Sequence, residues 1–323
     1  MDSRYKVLIT GGAGFIGSHL ADRFLEDACA VTVLDNFDDF YSDKELNVAH
    51  NLGKQGYRLV RGDILDFEMV NSLTKNVDIV IHSAAQPGIQ RGILDPMRAH
   101  HVNVTGTLNV LIAAKENSVG KVVYASSSAV YGVTDYLSMR EDQPTSPTSP
   151  YGATKLAAEK YCLAFHTTYE MPITCLRYFS AYGPRGRPDQ PVRKFTNKII
   201  EGGRPTIYGD GSQTRDFTYI SDVIDATYLA AISAASDGEI INIGYGSEIP
   251  IGVVAQKIIS RLGKDVEPEY CAGYDGDFPR TLADNTKAKK ILGWKPRVGF
   301  DEGLDRFLEW YMEAKVPKPR VGY

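Results

Sequence analysis

The sequence predicts an α/β fold, a doubly wound parallel sheet with a smaller α/β lobe beside it. Three observations carry that expectation. Short β-branched runs alternate with longer helical patterns through the first half, a glycine-rich turn follows the first of those runs, and after Ser180 the texture changes to Gly- and Pro-rich turns with shorter elements. The strand-like runs come in the order "YKVLIT", "AVTVLD", "YRLVRGD", "VDIVIHS" and "KVVYASS". They are apolar with little alternation, as expected of strands covered by helices on both faces. Segments such as "FIGSHLADRFLED" and "VNVTGTLNVLIAAKEN" supply the helices between them, and "PITCLRYF" adds a further strand. "AYGPRGRPDQP" and "YGDGSQTRDF" open the second lobe, "RDFTYISDVIDATYLAAIS" reads as strand and amphipathic helix, and "GEIINIG" returns to the first sheet. The lobes are therefore expected to interleave: residues 1–180 with 216–243 in the larger, residues 181–215 with 244–323 in the smaller.

A chain of 323 residues, 43% hydrophobic and 24% charged, can bury one large core or two joined ones. The formal net charge of −4 gives no general attraction to nucleic acid or anionic membranes, so local clusters must hold any anionic ligand. Cys29, Cys162, Cys175 and Cys271 are scattered without a C-x-x-C pair. Neither a disulfide framework nor a metal site is expected, and a reducing cytoplasm fits. An apolar strand begins within a few residues of Met1 and no later run approaches a membrane span, so neither secretion nor insertion is expected. The terminal "AKVPKPRVGY" reads as a loose basic tail.

"ITGGAGFIGSH" places Gly11, Gly14 and Gly17 between the first strand and the first helix, with Phe15 and Ile16 entering that helix. Glycines at that spacing permit a tight turn, close approach of backbone N–H groups to a pyrophosphate, and close helix–strand packing, while the helix N-terminus adds partial positive charge. Asp35 ends the second strand, followed by Asn36. A carboxylate there accepts from a ribose 2′-OH and repels a 2′-phosphate, which favours NAD over NADP. Asp63 and Ile64 in "RGDI", and Ala84 and Ala85 in "HSAAQ", are expected at the same crevice, outside the carboxyl ends of the strands.

Tyr151 and Lys155 in "SPYGATKLAAEKYCLAFHTTYE" share one helix face. A phenol has a reference pKa near 10, and a cation within about 4–6 Å lowers such a value by roughly 1–3 units. Lys155 is expected to supply that field, aided by a positive nicotinamide ring. Tyr151 could then exchange a proton with a sugar hydroxyl while the cofactor carries hydride. Ser126, Ser127 and Ser128, at the end of a strand, suggest a rival acyl-transfer chemistry. It is disfavoured because no G-x-S-x-G elbow surrounds them and His82, His100, His101 and His166 lie in no recognisable motif.

Taken together, the glycine turn, "YASSSAVYG", "SPYGATK", "LRYFSAYGPR" and "GDGSQTRDFTYISD" resemble the extended short-chain dehydrogenase/reductase family of nucleotide-sugar epimerases and dehydratases, over nearly the whole chain. The resemblance implies a Rossmann-type domain with tightly bound NAD, lined also by Tyr178, and a homodimer formed through the helix ending near Asn117 and the one containing Tyr151. It makes Ser127 the hydroxyl that bonds the reacting sugar oxygen, with Ser126 and Ser128 flanking it. Dehydratases of the family carry an Asp-Glu pair in the next two positions, and UDP-glucuronate decarboxylases a Glu in the second. Ser128 and Ala129 stand there, which leaves reversible oxidation at C4, or 4-epimerization, as the expected reaction.

"DNFDDFYS", "AAQPGIQ" with Pro87, and "RYFSAYGPRGRPD" resemble the UDP-glucuronate/galacturonate 4-epimerases more than the neutral-sugar enzymes, where Asn usually replaces Ser180. By that resemblance Arg185, with Arg187 beside it, is placed to clamp a C6 carboxylate, for which the guanidinium fork is suited. Arg215 and Tyr208 resemble the contacts to a UDP diphosphate and nucleotide, and Asp277 matches the family pattern. Tyr274 departs from it by standing where neutral-sugar enzymes carry a second diphosphate arginine, for which Arg280 is a candidate substitute. A UDP-glucose/UDP-galactose 4-epimerase is the alternative; a UDP-glucuronate decarboxylase or a catalytically silent NAD-binding protein fits less well.

Overall fold

A computed structural model describes residues 4–40, 42–135, 138–273 and 278–314. The chain begins β1 (Lys6–Thr10), α1 (Phe15–Glu26), β2 (Ala30–Asp35), α2 (Lys44–Ala49), β3 (Tyr57–Arg61), α3 (Phe67–Leu73) and β4 (Ile79–His82). It continues through α4 (Ile89–Leu94), α5 (Pro96–His100), α6 (Gly106–Glu116), β5 (Lys121–Ser127), α7 (Pro150–Tyr169) and β6 (Ile173–Tyr178). Then come β7 (Ser180–Tyr182), α8 (Pro191–Ile200), β8 (Thr206–Tyr208), β9 (Thr214–Tyr219), α9 (Ile220–Ile232) and β10 (Ile240–Ile243). The described chain closes with β11 (Glu248–Pro250), α10 (Ile251–Arg261), β12 (Glu269–Cys271), α11 (Thr286–Leu292) and α12 (Phe300–Glu313).

Seven parallel strands form the main sheet in the order β10-β6-β5-β4-β1-β2-β3. The winding reverses between β1 and β4, and the crevice outside their carboxyl ends is where α/β sheets of this kind bind ligands. Fully apolar strands are required here because both faces are covered. One face packs Val7, Ile9, Val123 and Leu176 against Leu20 and Phe24 of α1 and Val223 of α9; the other packs Leu8, Val80, Val122 and Tyr124 against Val110 of α6 and Cys162 of α7. Strand β10 joins the main sheet beside β6, as the apolar "EIINIG" run predicts. The "RDFTY" strand β9 instead lies in a three-stranded sheet ordered β11-β9-β7. Strands β8 and β12 form a two-stranded sheet beyond it.

Local signals set several boundaries. Ser149 accepts from the Gly152 N–H at 3.1 Å and Pro150 occupies the first turn, so α7 starts at a fixed point and delivers Tyr151 one residue later. The helix expected over "VNVTGTLNVLIAAKEN" is α-helical only from Gly106. His101–Thr105 forms a wider π turn before it, with Asn103 buried in that turn. Asn103 accepts from the Gln86 N–H at 2.7 Å and donates to Thr154 Oγ1 at 2.9 Å, tying the loop after β4 to α7.

Candidate active site

One cleft of about 580 Å³ runs across the carboxyl ends of β1, β2, β4, β5 and β6 to the second lobe. It is lined by Gly11, Gly14, Phe15, Ile16, Gly17, Asp35, Asn36, Asp63, Ile64, Ala84, Ala85, Pro87, Ser126, Ser127, Ser128, Tyr151, Lys155, Tyr178, Ser180, Arg187, Tyr208 and Arg215. The sequence reading of these positions therefore converges on one surface. Asp277 and Tyr274 lie outside the described residues, as does the tail from Lys315.

Arg185 is a correction. Its Nη1 donates to Asp22 Oδ2 on α1 at 2.7 Å, and the cleft lining does not include it. The backbone at Arg185 is left-handed, φ 62°, and turns that side chain toward α1, while Arg187, two residues on, reaches the cleft. Arg187 is held in bidentate fashion by Asp189, Nε to Oδ1 at 2.9 Å and Nη2 to Oδ2 at 3.0 Å. Arg280 pairs with Glu248 and likewise does not line the cleft.

At the nucleotide end, α1 starts from Gly14 without a side-chain cap, so its first N–H groups face the cleft. Gly11 sits at φ +69°, and a Cβ there would lie 2.6 Å from the Ala84 nitrogen. A Cβ on Gly17 would lie 2.3 Å from the Gly11 oxygen and 2.7 Å from the Gly12 Cα, so the helix can approach the turn only as glycine. Gly17→Ala is thus expected to open the turn and leave the purified protein with less than about a tenth of the wild-type NAD content, read by absorbance after acid release. Asp35 Oδ2 accepts from the Ala13 N–H at 3.0 Å and Oδ1 from the Phe37 N–H at 2.8 Å. These bonds fix the carboxylate at the cleft wall and leave lone pairs for ribose hydroxyls. Asn36 Nδ2 donates to Asp63 Oδ2 at 2.9 Å, joining the ends of β2 and β3. The tight glycine turn, uncapped helix start and oriented carboxylate fit a dinucleotide with a free 2′-hydroxyl.

At the chemical end, Tyr151 meets the Ser127 hydroxyl, and burial pushes its phenol above the ordinary value. Arg187 and the Ser127 hydrogen bond oppose that shift, and Asp189 adds to it. Arg187 is the cation that opposes this shift, while Lys155, which the sequence suggested for that role, is turned to the strand. Lys155 Nζ donates to the Ala125 carbonyl at 2.6 Å and lies 4.8 Å over the Tyr124 ring. Burial lowers Lys155 to about 8, which keeps it cationic at neutral pH.

His82, for which the sequence offered only a structural role, sits under the cleft in a buried chain. Thr107 donates to the Asn103 carbonyl at 2.6 Å, so it must accept from His82 Nε2 at 2.9 Å, leaving Nδ1 to accept from Thr10 Oγ1 at 2.7 Å. Burial pushes this imidazole down to about 3, keeping it neutral. Ser126 lines the cleft, but its Oγ donates to the buried Glu159 Oε2 at 2.8 Å. Asp189, which lines the cleft, and Asn103, Glu159 and Arg177 behind it carry no signal in the sequence, because each is paired with a residue distant in sequence or brought close by loop geometry. Among the described residues no group of three or more His, Cys, Asp or Glu is placed to hold a metal ion, and no helix is long and apolar enough to cross a membrane.

Comparison with known proteins agrees with this geometry. The model of the GDP-mannose 4,6-dehydratase family matches residues 8–307. The UDP-glucuronate 4-epimerase of Thermodesulfobacterium geofontis is 35% identical over 311 residues, 95% of this chain and 96% of that protein. The UDP-glucose 4-epimerase of Mycolicibacterium smegmatis is also 35% identical over 311 residues, 95% of this chain and 98% of its own. The structure superimposes, with a TM-score of 0.92 and 34% identity, on UDP-glucuronic acid 4-epimerase from Bacillus cereus in complex with UDP-glucuronic acid and NAD, covering 96% of this chain and 99% of that one. Both lobes and the cleft between them fall within these matches, and the chain belongs to the GDP-mannose 4,6-dehydratase family of extended short-chain dehydrogenase/reductases.

Proposed function

We propose that the protein is an NAD-dependent UDP-sugar 4-epimerase whose substrates are UDP-glucuronate and UDP-galacturonate. Arg187 carries the substrate assignment: it is a guanidinium on the wall of the cleft that Ser127 and Ser180 also line, and its charge reaches Tyr151. A carboxylate at C6 of the sugar would compete with Asp189 for this guanidinium, and a neutral CH₂OH would not use its charge. When bound, NAD⁺ accepts hydride from C4 and returns it. Tyr151 Oη takes the proton of the 4-hydroxyl and later restores one, and Ser127 Oγ holds the reacting oxygen. Arg215 and Tyr208 face the diphosphate and nucleotide.

A 4-keto uronate is a β-keto acid and tends to lose CO₂. Holding its carboxylate through Arg187, with Ala129 in place of an acid, supports epimerization over decarboxylation or dehydration. The neutral-sugar reading keeps one observation in its favour, the equal identity to the UDP-glucose enzyme. Incubating the NAD-loaded protein with UDP-glucuronate, UDP-galacturonate, UDP-glucose and UDP-galactose separates the two. Chromatography is expected to show rapid interconversion of the uronates, and faster interconversion of the neutral pair would sink the assignment. Arg187→Leu is expected to lower kcat/KM for UDP-glucuronate about 10- to 100-fold, corresponding to about 1.5–3 kcal/mol for a charge-assisted contact, with only a few-fold change for UDP-glucose. A homodimer through α6 and α7, where Tyr161 and Tyr169 are exposed, is part of the proposal and is checked by light scattering.

A further inference from the structure

The helix face that presents Tyr151 and Lys155 carries a third polar residue one step further, Glu159, at the same spacing of four. It does not face the cleft. Glu159 is fully buried and Arg177 is 1% exposed, and the two make a bidentate pair, Nε to Oε2 at 3.0 Å and Nη2 to Oε1 at 2.7 Å. The carboxylate also accepts from Ser126 Oγ at 2.8 Å. Ser126 and Arg177 are partners in the β5–β6 register, and the next pair along is Ser127 and Tyr178. Glu159 therefore binds both strands immediately behind the residues that enter the cleft. Lys155 Nζ holds the Ala125 carbonyl, so α7 grips two consecutive residues of β5 from two consecutive turns.

The pair continues beyond Arg177. Its guanidinium lies 4.6 Å over the Tyr131 ring, Tyr131 donates to Asn242 Oδ1 at 2.7 Å, and Asn242 Nδ2 donates to the Met139 carbonyl at 2.8 Å. An ion pair taken out of water in this way adds little net stability over apolar residues of similar size, because desolvation offsets the attraction. What it does provide is direction. An apolar contact tolerates sliding of α7 along β5, whereas three hydrogen bonds on one carboxylate do not. Misplacement of a reacting group by about 1 Å can cost on the order of 10²-fold in rate.

We propose that Glu159 is a positioning residue for the reaction, fixing the register between the Tyr151 helix and the Ser127 strand through its bonds to Ser126 and Arg177. The inference rests on Tyr151 and Ser127 carrying the proton transfer but not on which UDP-sugar reacts. The test compares two full-length double variants, each loaded with NAD and assayed on whichever of UDP-glucuronate and UDP-glucose the wild-type protein turns over. Glu159→Leu/Arg177→Met fills the core without the bond to Ser126. Glu159→Gln/Arg177→Met also removes the charges but keeps an acceptor for Ser126. The first is expected to keep KM within about threefold and lose about 30- to 100-fold in kcat, and the second to recover to within about fivefold of wild type.

Equal kcat values for the two variants, or a Leu/Met variant as fast as wild type, would overturn the proposal. If the Leu/Met variant does not fold, Ser126→Ala decides: a fall in kcat of about tenfold or more at steady KM supports the role, and an unchanged kcat, or an effect confined to KM, refutes it. A Tyr151→Phe control that stays fully active would instead refute the assignment of the proton transfer, which keeps the two failures apart.

Discussion

Tyr151→Phe is expected to lower kcat by about 10²–10⁴-fold while leaving NAD content and KM within a few-fold of wild type, because only the exchangeable proton is removed. Steady-state turnover on the best UDP-sugar, with cofactor content measured on the same preparation, checks this. The phenol is buried and its ionisation is held above the ordinary range, so the phenolate that takes the 4-hydroxyl proton depends on the Arg187 charge and the Ser127 hydrogen bond, which oppose that shift. Lys155 remains cationic only below about 8. Raising the pH through that value removes the charge with which Lys155 holds the Ala125 carbonyl behind Ser127, so the rate is expected to fall on the alkaline side. Lys155→Met is expected to abolish this alkaline limb and to lower kcat at neutral pH by at least about tenfold.

The largest expected effect on stability comes from Asp216→Ala. Asp216, buried within β9, accepts the N–H groups of Tyr245 at 2.8 Å, Gly246 at 2.9 Å and Ala283 at 2.9 Å. One carboxylate thus joins β9, the turn after β10 and the segment leading to α11. Alanine leaves the Gly246 and Ala283 N–H groups without an acceptor, while the Tyr245 N–H keeps Thr218 Oγ1 at 3.0 Å; each unmet group costs about 1–3 kcal/mol, so a loss of about 2–6 kcal/mol is expected. Urea unfolding measures it, with an unchanged midpoint as the contrary result. Asp216→Asn, which keeps one carbonyl oxygen, is expected to fall between alanine and wild type.

The legible parts of this protein are those governed by short-range periodicity. Apolar runs with flanking turns marked all seven strands of the main sheet, and the three spaced glycines marked the nucleotide turn, because a missing Cβ at Gly11 and Gly17 is a property of the residue itself. Tyr151 and Lys155 could be placed on one face from their spacing alone. Less legible was the π turn at His101–Thr105, which interrupts a sequence with good helical pattern where Asn103 is drawn to Gln86 and Thr154.

By itself, then, the sequence determined the α/β class, the dinucleotide turn with its acidic strand end, and the serine, tyrosine and lysine proposed for the reaction. Only the tertiary structure decided which arginine lines the cleft, where Lys155 points, and what Ser126 bonds. The physical reason lies in the range of the interactions. Helix and strand periods are set by backbone geometry within a few residues, whereas Arg185 is withdrawn by a carboxylate 163 positions away and Ser126 by one 33 away. Neither pairing has a local signature, and each became visible only when α1 and α7 were docked against the sheet.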